Sequence, residues 1–278
     1  MRGCSCRGTA GFAHVSCLAE QAKILYAEAE ENNLDNKVLN ARWTRWQTCG
    51  LCEQHYHGVV RCALGWACWK TYVGRPETDQ LRGMAMEALG NGLLDAQHYV
   101  DALSVYEAEL STVRRIGAFD DSDILVVQSN LARTYALLGQ DEQAADMFRD
   151  VYLGHLKLYG EERRGTVSSA SNYAALLISL QRFREAKSLL RKTIPVTRSV
   201  LGESSEITLK MMRTYARALY EDPGATHDDI REAVTTLEDT EQIARRVLGG
   251  GHPTVASIVH RLRRAVLRLG SLNASGRT

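Results

Sequence analysis

The chain has 278 residues, a formal net charge of +1 and 45% hydrophobic residues. A net charge this close to zero gives no general electrostatic reason to expect a nucleic-acid or membrane partner. All seven cysteines precede residue 69, which a disulfide-stapled secreted protein would rarely show, and no stretch reaches the roughly 18–20 apolar residues of a membrane helix. We therefore expect a cytoplasmic protein with reduced thiols. Only 4 prolines occur, which favours helices.

Potential metal ligands open the chain. Their order is Cys-x-Cys, seven residues, His, two residues, Cys and, after a long gap, Cys-x2-Cys; they are Cys4, Cys6, His14, Cys17, Cys49 and Cys52. Structural zinc sites use four Cys or His ligands in a tetrahedron, and a Cys-x2-Cys pair can supply two thiolates from one turn. The pattern predicts bound zinc. The alternative interpretation is that these cysteines are small buried hydrophobic residues.

The order of these ligands, with Arg7-Gly8 and Leu18 beside them, resembles the RING-CH (RING-variant) zinc finger. The resemblance implies two zinc ions in a cross-brace, one of them held by Cys4, Cys6, Cys49 and Cys52. His14 and Cys17 would belong to the second ion, because the first Cys-x2-Cys pair of that family is missing here. His55 and His57 are alternative ligands for that ion, although we interpret them as solvated loop histidines. We expect a truncated chain or a misplaced start codon, and a true half-finger is the alternative.

Residues 59–70 predict a short amphipathic helix that docks the finger onto the following domain. Gly74-Arg75-Pro76 marks the end of this helix and the domain boundary. Cys62 and Cys68 lie six residues apart in the apolar helical run, where they would not converge on one ion. We therefore interpret both as structural residues.

A repeat fills the remainder of the chain. Small residues recur at intervals of 42, 42 and 47 residues, at Ala102, Ala144, Ala186 and Ala233. Each unit also closes on a glycine, namely Gly117, Gly160, Gly202 and Gly249. Small residues at fixed positions let two helices approach closely, and such helix pairs stack because neither helix can bury its apolar face alone. The glycines permit the left-handed backbone that ends the second helix of each pair.

This repeat resembles the long tetratricopeptide repeats of kinesin light chain over roughly residues 85–265. The resemblance is carried by Leu201-Gly202, His252-Pro253, Asn130-Leu131-Ala132 and Asn172-Tyr173-Ala174. It implies a groove lined by the first helix of each pair, in which the amides of Asn130 and Asn172 would bind an extended peptide. The alternative is that these two amides make structural bonds between repeats.

The predicted fold is mostly α, with a small zinc-stabilised RING-like module followed by an all-α TPR helical solenoid. We expect an incomplete finger over 1–58, a connecting helix and linker over 59–78, four repeats with a capping helix over 79–270, and a flexible tail over 271–278. The arginine-rich capping helix is interpreted as a solvated cap.

The leading functional hypothesis is a ubiquitin-protein ligase. Its zinc finger would recruit a ubiquitin-conjugating enzyme, as the RING-CH resemblance implies, and its repeats would bind a protein or peptide target. RING modules supply no nucleophile, so no catalytic residue is expected. The alternative, favoured by the missing ligands, is a non-enzymatic TPR scaffold or adaptor with a degenerate finger.

Overall fold

A computed structural model describes residues 13–117 and 120–275 of the chain. Within these ranges the regular structure is helical, apart from an isolated antiparallel bridge between Thr48 and His55. The chain divides into two compact units, Met1–Gly139 and Gln140–Thr278. Among the described helices, none is long and apolar enough to cross a membrane.

The described residues of the first unit form six α helices and a short 3-10 turn at Thr44–Trp46. The helices are α1 (Val15–Glu31), α2 (Asn36–Trp43), α3 (Gly58–Tyr72), α4 (Gln80–Asp95), α5 (Tyr99–Ile116) and α6 (Asp121–Leu137). Three of these helices have an aspartate N-cap, namely Asp35, Asp79 and Asp120. Each aspartate side chain accepts a hydrogen bond from a backbone N–H group in the first turn of its helix.

Aromatic side chains form the core around α1 and α2. The ring of Tyr26 meets the ring of Trp43 edge-on, with 5.5 Å between centroids, and Trp46 packs edge-on against Tyr72. Trp46 is only 2% exposed. Edge-to-face contacts of this kind add to the free energy that burial of the rings already contributes. Helices α1 to α3 therefore share an apolar core.

The helix predicted over 59–70 is confirmed as α3, and glycines bring it unusually close to α4. A Cβ atom added at Gly65 would lie 2.7 Å from the carbonyl oxygen of Ala88, and one added at Gly92 would lie 2.8 Å from the carbonyl oxygen of Arg61. Only glycine permits backbones to approach this far. Helix α3 is thus packed directly onto the first repeat helix.

Residues 140–275 of the second unit form six helices, the first of which begins at Asp141. They are α7 (Asp141–Tyr159), α8 (Arg164–Ser179), α9 (Phe183–Leu201), α10 (Glu206–Tyr220), α11 (His227–Leu248) and α12 (Pro253–Ser275). A core cluster that includes Leu190, Met211 and Leu237 joins α9, α10 and α11. Contacts of α12 with both α10 and α11 close this core.

The repeat positions inferred from the sequence are confirmed residue by residue. The four alanines at the repeat spacing, Ala102, Ala144, Ala186 and Ala233, are all 0% exposed. The four closing glycines, Gly117, Gly160, Gly202 and Gly249, have φ angles between 61° and 80°. That backbone region penalises residues with a Cβ, so glycine at these positions ends α5, α7, α9 and α11.

The C-terminal helix differs from the prediction in two respects. Helix α12 extends to Ser275, so residues 271–275 are helical, whereas the sequence predicted a tail from residue 271. Its arginines are also not merely solvated. Arg268 donates to the carbonyl oxygens of Tyr220 and Asp222 at 2.5 and 2.7 Å, and Arg264 lies 3.2 Å from a carboxylate oxygen of Glu221. These contacts stabilise the turn that follows α10.

Candidate functional site

The two asparagines predicted to bind a peptide differ in their partners. The Nδ2 group of Asn130, on α6, is buried and has no hydrogen-bond partner. The Oδ1 atom of Asn172, on α8, accepts a hydrogen bond from Nζ of Lys210 on α10 at 2.8 Å. Asn172 thus makes a structural bond between repeats, while the Asn130 amide retains donor capacity. The peptide-binding role of both residues stays a prediction.

A pocket of about 230 Å³ opens between α4, α5 and α6 in the first unit. We call it the acidic pocket and define it by six of its lining residues, Met84, Glu87, Glu109, Val113, Asp123 and Val126. Each helix contributes residues three or four positions apart, which lie on one helical face. Asn130 lies four residues after Val126 and so shares the pocket-lining face of α6.

The carboxyl groups of the acidic pocket are poorly compensated. Glu109 is 6% exposed, and its Oε2 atom has no hydrogen-bond partner. Burial, followed by the charge of Glu87, raises the pKa of Glu109 to about 8. Burial also raises the pKa of Glu87, although a hydrogen bond from Asn91 at 3.4 Å and the charge of Arg61 oppose that shift.

Sequence reasoning did not single out the acidic pocket. A signal existed: Glu109 lies three residues after Tyr106 and four before Val113, both of which are buried. A carboxylate at helical spacing between two core residues lies on the apolar face of its helix, where an unpaired charge is costly. Such a residue indicates a binding site more strongly than an acidic residue on an exposed helix face does.

The predicted metal ligands are only partly covered by the structure. Cys4 and Cys6 lie outside the described residues. Cys17 is exposed on α1, and its Sγ lies 4.0 Å from Nδ1 of His14. Across residues 13–117 and 120–275, no group of three or more His, Cys, Asp or Glu side chains is arranged to hold a metal ion. The complete ligand set of the predicted finger is therefore untested.

Cys49 and Cys52 lie on a tight turn before α3. The backbone N–H of Leu51 donates to Sγ of Cys49 at 3.4 Å, and Glu53, directly after Cys52, has a φ angle of 56°. Cys49 is also buried against Tyr56 and Leu64. An N–H group directed at a sulfur stabilises its thiolate, so the turn suits two ligands of a metal site. Two further ligands would have to come from elsewhere.

The other two cysteines in the described residues have structural positions, as predicted. Cys68 is 0% exposed in the aromatic core, and burial raises the pKa of its thiol far above the ordinary value. Burial and the charge of Asp101 raise the pKa of Cys62 as well. A thiol held in the protonated form is a poor metal ligand and a poor nucleophile.

Comparisons with known proteins identify the repeats. A family model described as tetratricopeptide repeat matches residues 124–163 and 166–206. Residues 124–206 carry tetratricopeptide repeats. No sequence among the curated proteins matches the chain. The family comparison identifies no RING-CH finger in residues 1–58, so that resemblance has no support beyond the ligand spacing.

Solved structures share the fold. The nearly identical TPR-like repeats assigned to a kinesin light chain of Podosopora anserina match with a TM-score of 0.58 at 21% identity, covering 73% of this chain and 92% of that one. BtubC (BKLC) from P. vanneervenii matches with a TM-score of 0.55 at 14% identity, over 96% and 93% of the two chains. A Rap protein complexed with competence and sporulation factor gives 0.54 at 13% identity, over 91% and 66%. Identities this low show a TPR-like fold and nothing finer.

Proposed function

We propose that the protein is a non-enzymatic TPR scaffold that binds an extended segment of a protein partner on the face formed by α4 and α6. The observation that carries this proposal is the acidic pocket, together with the buried Asn130 amide one turn along α6. Ligand sites combine apolar walls with a few polar groups that lack partners inside the protein. The similarly folded Rap protein is complexed with competence and sporulation factor, which supports a partner-binding role for this fold.

The test uses the full chain and a displayed library of random twelve-residue peptides. We expect selected peptides to lose about tenfold or more in affinity for Asn130→Ala, because the variant removes a hydrogen-bond donor at the interface. Asn40→Ala, at an exposed position of α2, is the matched control and should bind normally. If no peptide is enriched over a library-only control, or if Asn130→Ala and Asn40→Ala bind equally, the proposed surface is wrong.

A structural metal site is a second proposal, and the N–H group of Leu51 directed at Cys49 favours it. Cys49 and Cys52 would supply two thiolates, with Cys4 and Cys6 completing the tetrahedron that zinc requires. Elemental analysis of the purified chain should find zinc in the wild type and in Cys62→Ser, but not in Cys49→Ser. Absence of zinc from the wild type would contradict this proposal and leave the scaffold proposal intact.

The ubiquitin-ligase activity stays a prediction, and neither the family match nor the structural neighbours support it. An autoubiquitination assay against a panel of conjugating enzymes tests it directly. Activity that Cys49→Ser abolishes would support the ligase, whereas inactivity across the panel would leave the scaffold proposal alone.

A further inference from the structure

The acidic pocket brings together carboxyl groups that the protein itself pairs only in part. Glu109 contributes a carboxyl group from its floor and Glu87 contributes one from α4. Asp123 contributes a third from the first turn of α6, where its Oδ2 atom also accepts a hydrogen bond from the backbone N–H of Asp120 at 3.2 Å. The charge of Arg61 lowers the pKa of Glu87, but the Arg61 guanidinium already forms an ion pair with Asp95 at 3.0 Å. The pocket therefore offers a favourable place for a positive charge supplied from outside.

The walls of the pocket restrict what form that charge takes. Met84, Val113 and Val126 line the approach to the carboxyl groups, and Val126 is 45% exposed. An aliphatic stem ending in a cation matches such a surface, since long basic side chains bury their methylene groups and keep the charge at the tip. Within the described ranges, the carboxylates do not converge closely enough to form a metal site.

We propose that the acidic pocket binds an arginine side chain of the peptide partner, with the guanidinium between Glu109 and Glu87. This inference rests on the proposed scaffold function and names the chemistry that the partner must present. Arginine fits better than lysine because its planar guanidinium has five donors and can reach two carboxylates at once. It is also more weakly hydrated than an ammonium group, so it enters a buried site at lower cost.

Proton release should accompany binding. Charged and titratable groups around Glu109 are Glu87 on α4, Tyr106 on α5 and Asp123 on α6, while Arg61 and Arg133 act on Tyr106. With its pKa at about 8, Glu109 is mostly protonated at neutral pH, and a bound guanidinium stabilises the ionised form. Affinity should therefore rise between pH 6 and 8, by at most about tenfold per pH unit for one proton released.

The experiment titrates the full chain with the pentapeptide acetyl-Ala-Ala-Arg-Ala-Ala-amide, followed by NMR or calorimetry. We expect saturable binding that weakens at least about tenfold when citrulline replaces arginine, because citrulline keeps the shape and removes the charge. Glu109→Gln should weaken the arginine peptide similarly and abolish the rise in affinity with pH. Glu238→Gln, an exposed carboxylate on α11, is the matched control and should change neither result.

Three outcomes would overturn the inference. These are equal binding of the arginine and citrulline peptides, equal binding of the arginine and lysine peptides, and binding of Ca²⁺ or Mg²⁺ alone at the same site with loss in Glu109→Gln. Thermal melts of Glu109→Gln confirm that the variant is folded. Failure here is distinguishable from failure of the scaffold proposal, since library peptides sensitive to Asn130→Ala would still be selected if only the arginine assignment were wrong.

Discussion

The two units build the same kind of helix pair but differ in how one carboxyl group in each is paired. In the first unit, Glu109 is buried without a hydrogen-bond partner for its Oε2 atom. In the second, the carboxylate of Glu221 lies within 2.6 Å of Arg217 and 3.2 Å of Arg264. Charge that is balanced inside the protein supports the fold, whereas charge that is left unbalanced marks a place for a ligand. The comparison therefore supports the proposal that the first unit binds the partner.

The largest predicted effect concerns the stability of the first unit as a function of pH. The folded pKa of Glu109, about 8, lies above its ordinary value of 4.5, so the folded state binds more protons than the unfolded state between these values. Stability from this group is complete below about pH 4.5 and is lost as the pH rises through 8. Glu109→Gln should equal wild type at pH 4 and exceed it at pH 9 by up to about 5 kcal/mol.

Urea unfolding of both proteins at the two pH values measures this difference. Glu238→Gln controls for the change in net charge and should stay close to wild type at both values. Equal stability of Glu109→Gln and wild type at pH 9 would show that the ionised Glu109 carboxylate has a stabilising partner in the folded state. Glu109 would then not differ from Glu221 in the second unit.

The next expected effect concerns the close packing of the α3 and α4 backbones in the first unit. Gly92→Ala places a Cβ against the backbone of α3 and should destabilise the first unit by about 1–3 kcal/mol. Gly83, on the same helix, has no atom within 4 Å of an added Cβ, so Gly83→Ala should stabilise by about 0.5–1 kcal/mol through helix propensity. Thermal unfolding measures both, and a stabilising Gly92→Ala would contradict the close contact of α3 and α4.

The smallest effect tests the internal pairing of the second unit. Arg268→Ala removes two hydrogen bonds to backbone carbonyl groups in the turn after α10 and should cost about 1–2 kcal/mol. Arg263→Ala, at an exposed position of the same helix, should stay within about 0.5 kcal/mol of wild type. Equal melting temperatures for the two variants would mean that the arginines of α12 are solvated, as the sequence had predicted.

The repeats were predictable because their determinants are local and periodic. A small residue such as Ala144 lies where the two helices of a pair approach closely, and a glycine such as Gly160 adopts the positive φ that ends the second helix. Both features recur at a fixed spacing, so one sequence compared with itself reveals them. The helix over residues 59–70 followed from apolar periodicity in the same way.

The acidic pocket was not predictable because it depends on three helices at once. Nothing in the residues around Glu87 or Asp123 indicates that they face the same pocket as Glu109. The contact of Gly65 with α4 is equally non-local, since its counterpart Gly92 lies in another helix. The sequence predicted a tail from residue 271, but α12 runs through Gly270 and continues to Ser275. A glycine ends a helix only where its φ turns positive.

Hydrogen-exchange mass spectrometry of the full chain, with and without a library-selected peptide, tests the central claim most directly. We expect added protection in residues 80–137, which include α4, α5 and α6, with none in residues 164–275. Glu109→Gln should reduce that protection at the same peptide concentration, and Glu238→Gln should not. Protection confined to residues 164–275 would contradict the proposed site, because it would place the partner on the second unit, away from the acidic pocket.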